Sequence, residues 1–79
     1  MNEALESKII DIIKSVMGID VSKMDRSNKI NTMPRWDSFN NLMLISRFQD
    51  EFNIEFTAVE IENTLTIQSI FDLIDSKLS

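Results

Sequence analysis

The sequence predicts an all-α fold, a four-helix bundle with three long helices, one short helix and a long loop between helices one and two. Apolar residues recur at spacings of three and four along most of the chain, and no alternating strand pattern persists. The only glycine and the only proline, Gly18 and Pro34, lie at the two ends of a polar stretch, which is the predicted loop. A chain of 79 residues suffices for one domain, expected to span residues 1–79.

The first helix is predicted from an apolar stripe near the N-terminus. The stripe consists of Leu5, Ile9, Ile12, Ile13 and Val16. Gly18 follows where a left-handed C-terminal cap is expected, because glycine adopts a positive φ without steric cost. The next loop is long for a small domain, and we expect Val21, Met24 and Ile30 to anchor it to the core.

The second helix is predicted to run from Ser38 to Phe52, with Asp37 as its N-cap. An aspartate there accepts a hydrogen bond from the free backbone N–H near Asn40 and leaves the Ser38 hydroxyl exposed in the first turn. The expected core stripe is Phe39, Leu42, Ile45, Phe48 and Phe52. Three polar residues are expected to lie away from it: Asn41, Arg47 and Asp50.

The last two helices are predicted from their N-terminal caps. Thr57 and Glu60 have the spacing of a capping box, which predicts a short third helix. Thr66 is the predicted cap of the fourth helix. The apolar face of that helix is the clearest in the chain: Ile67, Ile70, Phe71, Ile74 and Leu78.

The composition argues against an enzyme. The chain has no cysteine and no histidine, which removes thiol nucleophiles, zinc-finger spacings, imidazole bases and disulfides together. Ser38 would need an adjacent base to act as a nucleophile, so a serine hydrolase is excluded. The acidic residues lack the ligand spacing of a calcium loop, so we expect no metal and interpret them as a solvated face: Asp50, Glu51, Glu55, Glu60 and Glu62.

The charge and hydropathy of the chain also limit its partners. The net charge is −5 and the basic residues are scattered, so nucleic acid is not an expected partner. No apolar run has the length of a membrane span, and the segment Met1–Ala4 lacks the features of a signal peptide, which predicts a cytoplasmic protein without a membrane partner. The acidic surface serves solubility alone, or it also suits docking to basic patches on enzymes.

The Asp37-Ser38 pair itself has two interpretations. It is a helix cap and nothing more, or the helix macrodipole favours a phosphate ester on the Ser38 oxygen. The two residues alone do not separate these interpretations.

From Asp37 to Ile74 the chain resembles the acyl carrier protein family without a gap. The matching segments are Asp37-Ser38-Phe39, in place of the family's Asp-Ser-Leu, then Asp50-Glu51-Phe52 followed by Asn53-Ile54-Glu55-Phe56, and Thr66-Ile67-Gln68. The resemblance implies that Ser38 carries 4′-phosphopantetheine derived from coenzyme A, with Asp37 and Phe39 beside the attachment point. The arm would then hold an acyl group as a thioester and present it to enzymes of fatty acid or polyketide biosynthesis.

The resemblance also implies partners. They are a phosphopantetheinyl transferase, an acyl- or aminoacyl-loading ligase and downstream transferases, and the chain is expected to be a monomer. In the family, the transferase recognises the aspartate before the serine and the exposed face of helix two. The residues expected to contact partners are Asn40, Met43, Arg47, Asp50 and Glu60.

Several positions depart from the family's pattern. Carriers of fatty acid synthesis usually have glycine two residues before the aspartate and a strongly acidic helix two, whereas this chain has Arg35 and a mixed face. We therefore expect a specialised carrier. Phe48, Ile61 and Ile70 are larger than the family's usual residues and are expected to fill the cavity that holds long acyl chains.

Two alternatives to an acyl carrier stay open at the level of the sequence. One is an aminoacyl carrier with the same arm, and the other is a helical protein-interaction module whose serine is never modified. For Trp36, beside the attachment point, packing of the loop is the expected role, and contact with the arm is the alternative.

Overall fold

Four α-helices make up most of residues 2–79, the part of the chain that this computed structural model describes. They are α1 (Glu3–Met17), α2 (Ser38–Phe52), α3 (Ala58–Asn63) and α4 (Ile67–Leu78). The loop between α1 and α2 contains two 3₁₀ turns, Val21–Lys23 and Ile30–Thr32. The predicted all-α fold with three long helices and one short helix is confirmed.

Helix α1 begins and ends at side-chain and backbone caps. The Asn2 side chain accepts a hydrogen bond from the Leu5 N–H at 2.7 Å, and Gly18 closes the helix with φ of 71°. The predicted left-handed cap at Gly18 is therefore confirmed. The residues of α1 that are buried against the other elements are Ile9, Ile12, Ile13 and Met17.

The long loop is fixed by backbone hydrogen bonds to the start of α4. The Ile30 N–H donates to the Leu65 carbonyl at 3.0 Å, and the Ile67 N–H donates to the Asn28 carbonyl at 3.1 Å. The Gln68 N–H donates to the loop as well. The first N–H groups of a helix have no intrahelical acceptor, so the loop carbonyls satisfy donors that α4 leaves free.

The loop anchors agree with the prediction at two positions of three. Val21 and Ile30 are buried, whereas Met24 is 38% exposed, so the prediction for Met24 is wrong. Met24 follows the 3₁₀ turn Val21–Lys23, and its backbone is extended, with φ of −106° and ψ of 154°. Arg26 holds this part of the loop instead, because its guanidinium pairs with Glu6 at 2.8 Å and lies 4.0 Å from the Phe71 ring centroid.

The buried face of α2 differs from the predicted stripe. Its buried residues are Leu44, Ile45 and Phe48. Phe39 and Leu42, predicted to be in the core, are 72% and 58% exposed. The reason is geometric, because an α-helix turns about 100° per residue. Residues spaced three apart, from Phe39 to Phe48, therefore shift gradually around the helix axis, and Phe39 lies on the side opposite Phe48.

Asn41 was expected to lie away from the core stripe, and that expectation is wrong too. The spacing of four, three and four that joins Asn41, Ile45, Phe48 and Phe52 follows one side of the helix. Asn41 is only partly exposed and lies on this side. Arg47 and Asp50 are exposed, as predicted.

Helices α3 and α4 begin at the predicted caps. Thr57 and Glu60 form the capping box, with the Glu60 N–H donating to Thr57 Oγ1 at 3.1 Å and the Thr57 N–H donating to Glu60 Oε1 at 2.8 Å. Helix α4 buries Ile67, Ile70, Phe71 and Ile74. Leu78 is 43% exposed rather than buried, because it is the last residue of α4, a full turn beyond Ile74.

The core combines side chains of α1, α2, α4 and the long loop, and α3 contributes no buried residue. Phe48, which is fully buried, stacks on Phe52 with ring centroids 6.2 Å apart and meets Phe56 edge-on at 6.5 Å. Lys77 of α4 pairs with Glu60 at 2.9 Å, which joins α3 to α4. The face of α2 opposite Phe48 is left exposed.

Candidate functional site

The chain reverses direction at Arg35 immediately before α2. Arg35 has φ of 69°, in the left-handed region, and its carbonyl accepts a hydrogen bond from Asn40 Nδ2 at 2.7 Å. The guanidinium lies over the end of α1, where a Cβ on Gly18 would stand 3.1 Å from Arg35 Nη1. This turn directs the next side chain, Trp36, into the core.

Trp36 fixes the segment before the helix. Its side chain is 7% exposed and belongs to the hydrophobic core, and its Nε1 donates to Asn41 Oδ1 at 2.9 Å. The expected role of Trp36 in packing the loop is therefore confirmed. Because Asn41 lies one turn into α2, the hydrogen bond joins the loop to the helix.

Asp37 and Ser38 form the start of α2 in the predicted arrangement. Asp37 Oδ1 accepts a hydrogen bond from the Asn40 N–H at 2.8 Å, and the Asp37 carbonyl accepts one from the Asn41 N–H at 2.9 Å. Ser38 is the first residue of α2 and is exposed. A buried residue, a cap and an exposed hydroxyl thus follow one another in the sequence Trp36-Asp37-Ser38.

The surroundings of Ser38 suit a phosphate ester. The first turn of α2 contains no acidic residue, and the helix macrodipole is positive at this end. Within residues 2–79, the backbone N–H groups of Ser38 and Phe39 have no protein acceptor, so they are free to donate to phosphate oxygens. Asp37 is the adjacent carboxylate, and its Oδ1 is already engaged by the Asn40 N–H.

A shallow surface depression lies beside Ser38. The depression beside the serine is also lined by Ile30, Asn31 and Trp36. Ile30 and Asn31 line a second depression as well, which reaches Thr64 and Leu65 in the connection between α3 and α4. Because Ile30 and Asn31 line both depressions, the two lie next to each other on the surface.

The other predicted site residues are in varied environments. Phe39, Met43, Arg47 and Asp50 are exposed on α2. Asn40 is partly buried, because its side chain holds the Arg35 carbonyl. Their roles in contacting an arm or a partner stay predictions.

Glu60 is the predicted partner residue whose carboxylate is engaged within the chain. Its Oε1 accepts the Thr57 N–H and pairs with Lys77. The hydrogen bond from the Thr57 N–H, and next the Lys77 ammonium, hold the pKa of Glu60 below its ordinary value. A partner that contacts Glu60 has to compete with these contacts.

Two residues of the site were not identified from the sequence. The predicted stripe places Asn41 on the wrong side of α2, although its spacing of four from Ile45 and seven from Phe48 is the spacing of one helix face. For Arg35, the sequence shows only a departure from a family pattern. A non-glycine residue with positive φ has no signal in a single sequence, because the tertiary contacts that stabilise it are distant along the chain.

Two further properties concern residues 2–79 as a whole. No group of three or more acidic, histidine or cysteine side chains comes together there in a way that would hold a metal ion. None of the helices in this range has both the length and the apolar character needed to cross a bilayer.

Comparisons with known proteins find relatives that are acyl carrier proteins. The chain is 39% identical over 70 residues to an acyl carrier protein of Buchnera aphidicola, which covers 89% of this chain and 90% of the relative. It is 30% identical over 78 residues to one of Chlorobium phaeobacteroides, covering 98% of this chain and all of the relative. No family model matches the chain.

A solved structure agrees with these relatives. The crystal structure of an acyl carrier protein from Thermotoga maritima superposes with a TM-score of 0.75 at 26% identity, covering 96% of this chain and 88% of that one.

Proposed function

The chain belongs to the acyl carrier protein family, and from that membership we propose that Ser38 is the residue that carries the family's prosthetic group. The protein is a carrier rather than an enzyme: it presents acyl groups to biosynthetic enzymes and uses 4′-phosphopantetheine to do so. That group supplies the terminal thiol, to which the cargo is joined as a thioester, in a chain that has no cysteine.

The observation that supports Ser38 is the combination of an exposed hydroxyl with a fixed helix start. Asp37 and Trp36 hold the backbone on the N-terminal side of Ser38, and the backbone N–H groups of Ser38 and Phe39 have no protein acceptor, so they are available to a phosphate on its oxygen. The chain supplies the hydroxyl and the geometry. Activation of that hydroxyl falls to the transferase, because the chain has no histidine to act as the base.

The proposal also covers the enzymes that the carrier meets and its location in the cell. The partners are a phosphopantetheinyl transferase, a loading ligase and downstream transferases, and they approach a cytoplasmic, monomeric carrier. The contact residues proposed on the carrier are Asn40, Met43, Arg47, Asp50 and Glu60. Four of these are on α2, the helix that begins at Ser38, which supports a shared docking face.

The first testable prediction is that Ser38→Ala abolishes modification and leaves the fold intact. The wild-type chain, incubated with coenzyme A and a broad-specificity phosphopantetheinyl transferase, should gain the mass of one phosphopantetheinyl group, and the variant should gain none. Loss of an exposed hydroxyl should change the free energy of unfolding by no more than about 0.5 kcal/mol. Intact-mass spectrometry and circular dichroism measure the two quantities.

Ser46→Ala is the matched control, since Ser46 is also an exposed serine of α2. It should be modified as the wild-type chain is. Modification of the Ser38→Ala variant would assign the arm to another residue. A wild-type chain that is never modified would instead favour the unmodified interaction module.

A further inference from the structure

The two asparagines in the first turn of α2 both form hydrogen bonds back to the residues that precede the helix. Asn40 Nδ2 donates to the Arg35 carbonyl at 2.7 Å. Asn41 Oδ1 accepts from Trp36 Nε1 at 2.9 Å. A carbonyl only accepts and an indole N–H only donates, so the first bond requires an amide nitrogen and the second an amide oxygen. We call Asn40 and Asn41 the asparagine pair.

The two bonds of the asparagine pair close over Ser38. One joins positions 35 and 40 and the other joins positions 36 and 41, and Ser38 lies inside both. As the first residue of α2, Ser38 has no intrahelical acceptor for its N–H. Helix ends fray unless other contacts hold them. Besides the cap at Asp37, the contacts that hold this end are those of the asparagine pair.

Arg35 is the residue that would relax if these bonds were lost. Its φ of 69° is unfavourable for a residue with a Cβ. The Asn40 amide satisfies its carbonyl, and the buried Trp36 fixes the next residue. Loss of either bond therefore frees the backbone just before Ser38, while the later turns of α2 keep their conformation.

The position of the Ser38 oxygen matters because its modification is a group transfer. The oxygen forms a bond to the phosphorus of the phosphopantetheinyl group, the phosphoanhydride bond of coenzyme A breaks, and adenosine bisphosphate leaves. The hydroxyl proton passes to a base on the transferase, because this chain has no histidine. A reacting atom that is held in the productive orientation reacts faster than a mobile one.

We propose that Asn40 and Asn41 are positioning residues for the modification of Ser38. Asn40 acts through the Arg35 carbonyl and Asn41 acts through the Trp36 indole, and together they present the serine oxygen to the transferase in one orientation. This inference rests on the proposed function of Ser38. It gives the asparagine pair a role in kcat, whereas a residue that only contacts the partner changes KM.

The test makes the same substitution at the two neighbouring positions. Asn40→Asp replaces the donor with a carboxylate, which repels the Arg35 carbonyl, whereas Asn41→Asp keeps an oxygen that accepts from Trp36. Both variants add one negative charge to the same turn. With coenzyme A and a broad-specificity phosphopantetheinyl transferase, kcat of Asn40→Asp should fall about tenfold at an unchanged KM.

Asn41→Leu completes the comparison, because leucine is similar in size but cannot accept a hydrogen bond. Its kcat should also fall, and Asn41→Asp should restore it. Trp36 is the only tryptophan, so its single indole N–H resonance reports this bond directly. That proton should exchange with solvent faster in Asn41→Leu than in the wild-type chain, and Asn41→Asp should restore its protection.

Ile74→Val is the control for a general loss of stability. Ile74 is buried in α4, so the variant lowers the midpoint of urea unfolding without changing the first turn of α2. Its kcat should equal that of the wild-type chain. A fall like that of Asn40→Asp would show that stability alone sets the rate and would overturn the proposal.

The remaining outcomes separate this inference from the proposed function. Equal losses of kcat in the two aspartate variants would assign the effect to the added charge, and a rise in KM alone for Asn40→Asp would leave that residue a contact only. Either result overturns the positioning role. Unchanged kcat in Asn40→Asp and Asn41→Leu also overturns it and leaves Ser38 as the site, whereas a wild-type chain that is never modified overturns the proposed function as well.

Discussion

At the scale of the residue, Arg35 carries the backbone strain of the site. A non-glycine residue in the left-handed region costs about 1–2 kcal/mol relative to the right-handed one, and Arg35 has φ of 69°. The strain is maintained because the Arg35 carbonyl accepts from Asn40 and the following Trp36 is buried in the core. The left-handed conformation of Arg35 therefore orients Trp36 and Asp37, which follow it.

The second prediction follows from this strain. Arg35→Gly should stabilise the protein by about 0.5–1 kcal/mol, because relief of the left-handed strain exceeds the entropy that glycine adds to the unfolded chain. A higher midpoint of urea unfolding at an unchanged m-value would show it. Arg35→Ala is the control: it removes the guanidinium but keeps the Cβ, so it should not stabilise. Equal stabilisation by both variants would show that the guanidinium, and not φ, is the unfavourable element.

The third prediction concerns the hydrogen bond from Trp36 to Asn41. Trp36→Phe and Asn41→Ala should each destabilise the protein, and the double variant should lose less than the sum, with a coupling of about 1 kcal/mol. Chemical denaturation of the four chains measures the cycle. Strict additivity would mean that the two side chains contribute independently.

At the scale of the element, the sequence predicts helices well and their faces less well. The caps at Gly18, Asp37, Thr57 and Thr66 follow from local chemistry, and the structure has all four. The errors concern side-chain environments. Phe39 and Leu42 have the spacing of a core stripe, and only the positions of α1 and α4 decide which side of α2 is covered.

In the candidate site too, the features set by local sequence were predictable and those set by tertiary packing were not. Asp37 capping α2 beside an exposed Ser38 was predictable, because both depend on the first turn of one helix. The turn at Arg35 and the bond from Trp36 to Asn41 were not, because they depend on a loop that packs against distant segments.

The fourth prediction concerns pH and helix α3. The pKa of Glu60 is lowered by the Thr57 N–H and by Lys77, so its contribution to stability is complete above its ordinary value of 4.5 and is lost as the pH falls below it. The Thr57 amide resonance should shift in that acidic range. In Glu60→Gln, which keeps an acceptor oxygen but does not titrate, the shift should be absent. A Thr57 amide that titrates in both chains would indicate another carboxylate as the cause.

At the scale of the whole molecule, the aromatic cluster of Phe48, Phe52 and Phe56 occupies the core side of α2 and the turn after it. Protein interiors are closely packed, and forcing additional volume into one costs about 1–3 kcal/mol per site. Phe48 and Ile70 are buried and Ile61 is partly buried. We therefore expect these side chains to fill the space between the helices.

The fifth prediction is that the cargo is short or polar and is held outside the bundle. A long acyl chain and a short one, each loaded on the arm, should give the same amide chemical shifts at Phe48, Ile61 and Ile70, because neither enters the core. Large shifts at these three positions with the long chain alone would show that the bundle opens.

The hydrogen bonds between the long loop and the start of α4 affect when the chain can fold during its synthesis. Asn28 accepts from the Ile67 N–H, so the loop is completed by a segment that the ribosome synthesises almost forty residues later. Contacts of such long sequence separation cost loop-closure entropy before they stabilise anything, and these cannot form until α4 has been synthesised. We therefore expect a nascent chain to acquire its arm only after α4 has emerged and docked, so that modification also marks the chain as completely folded.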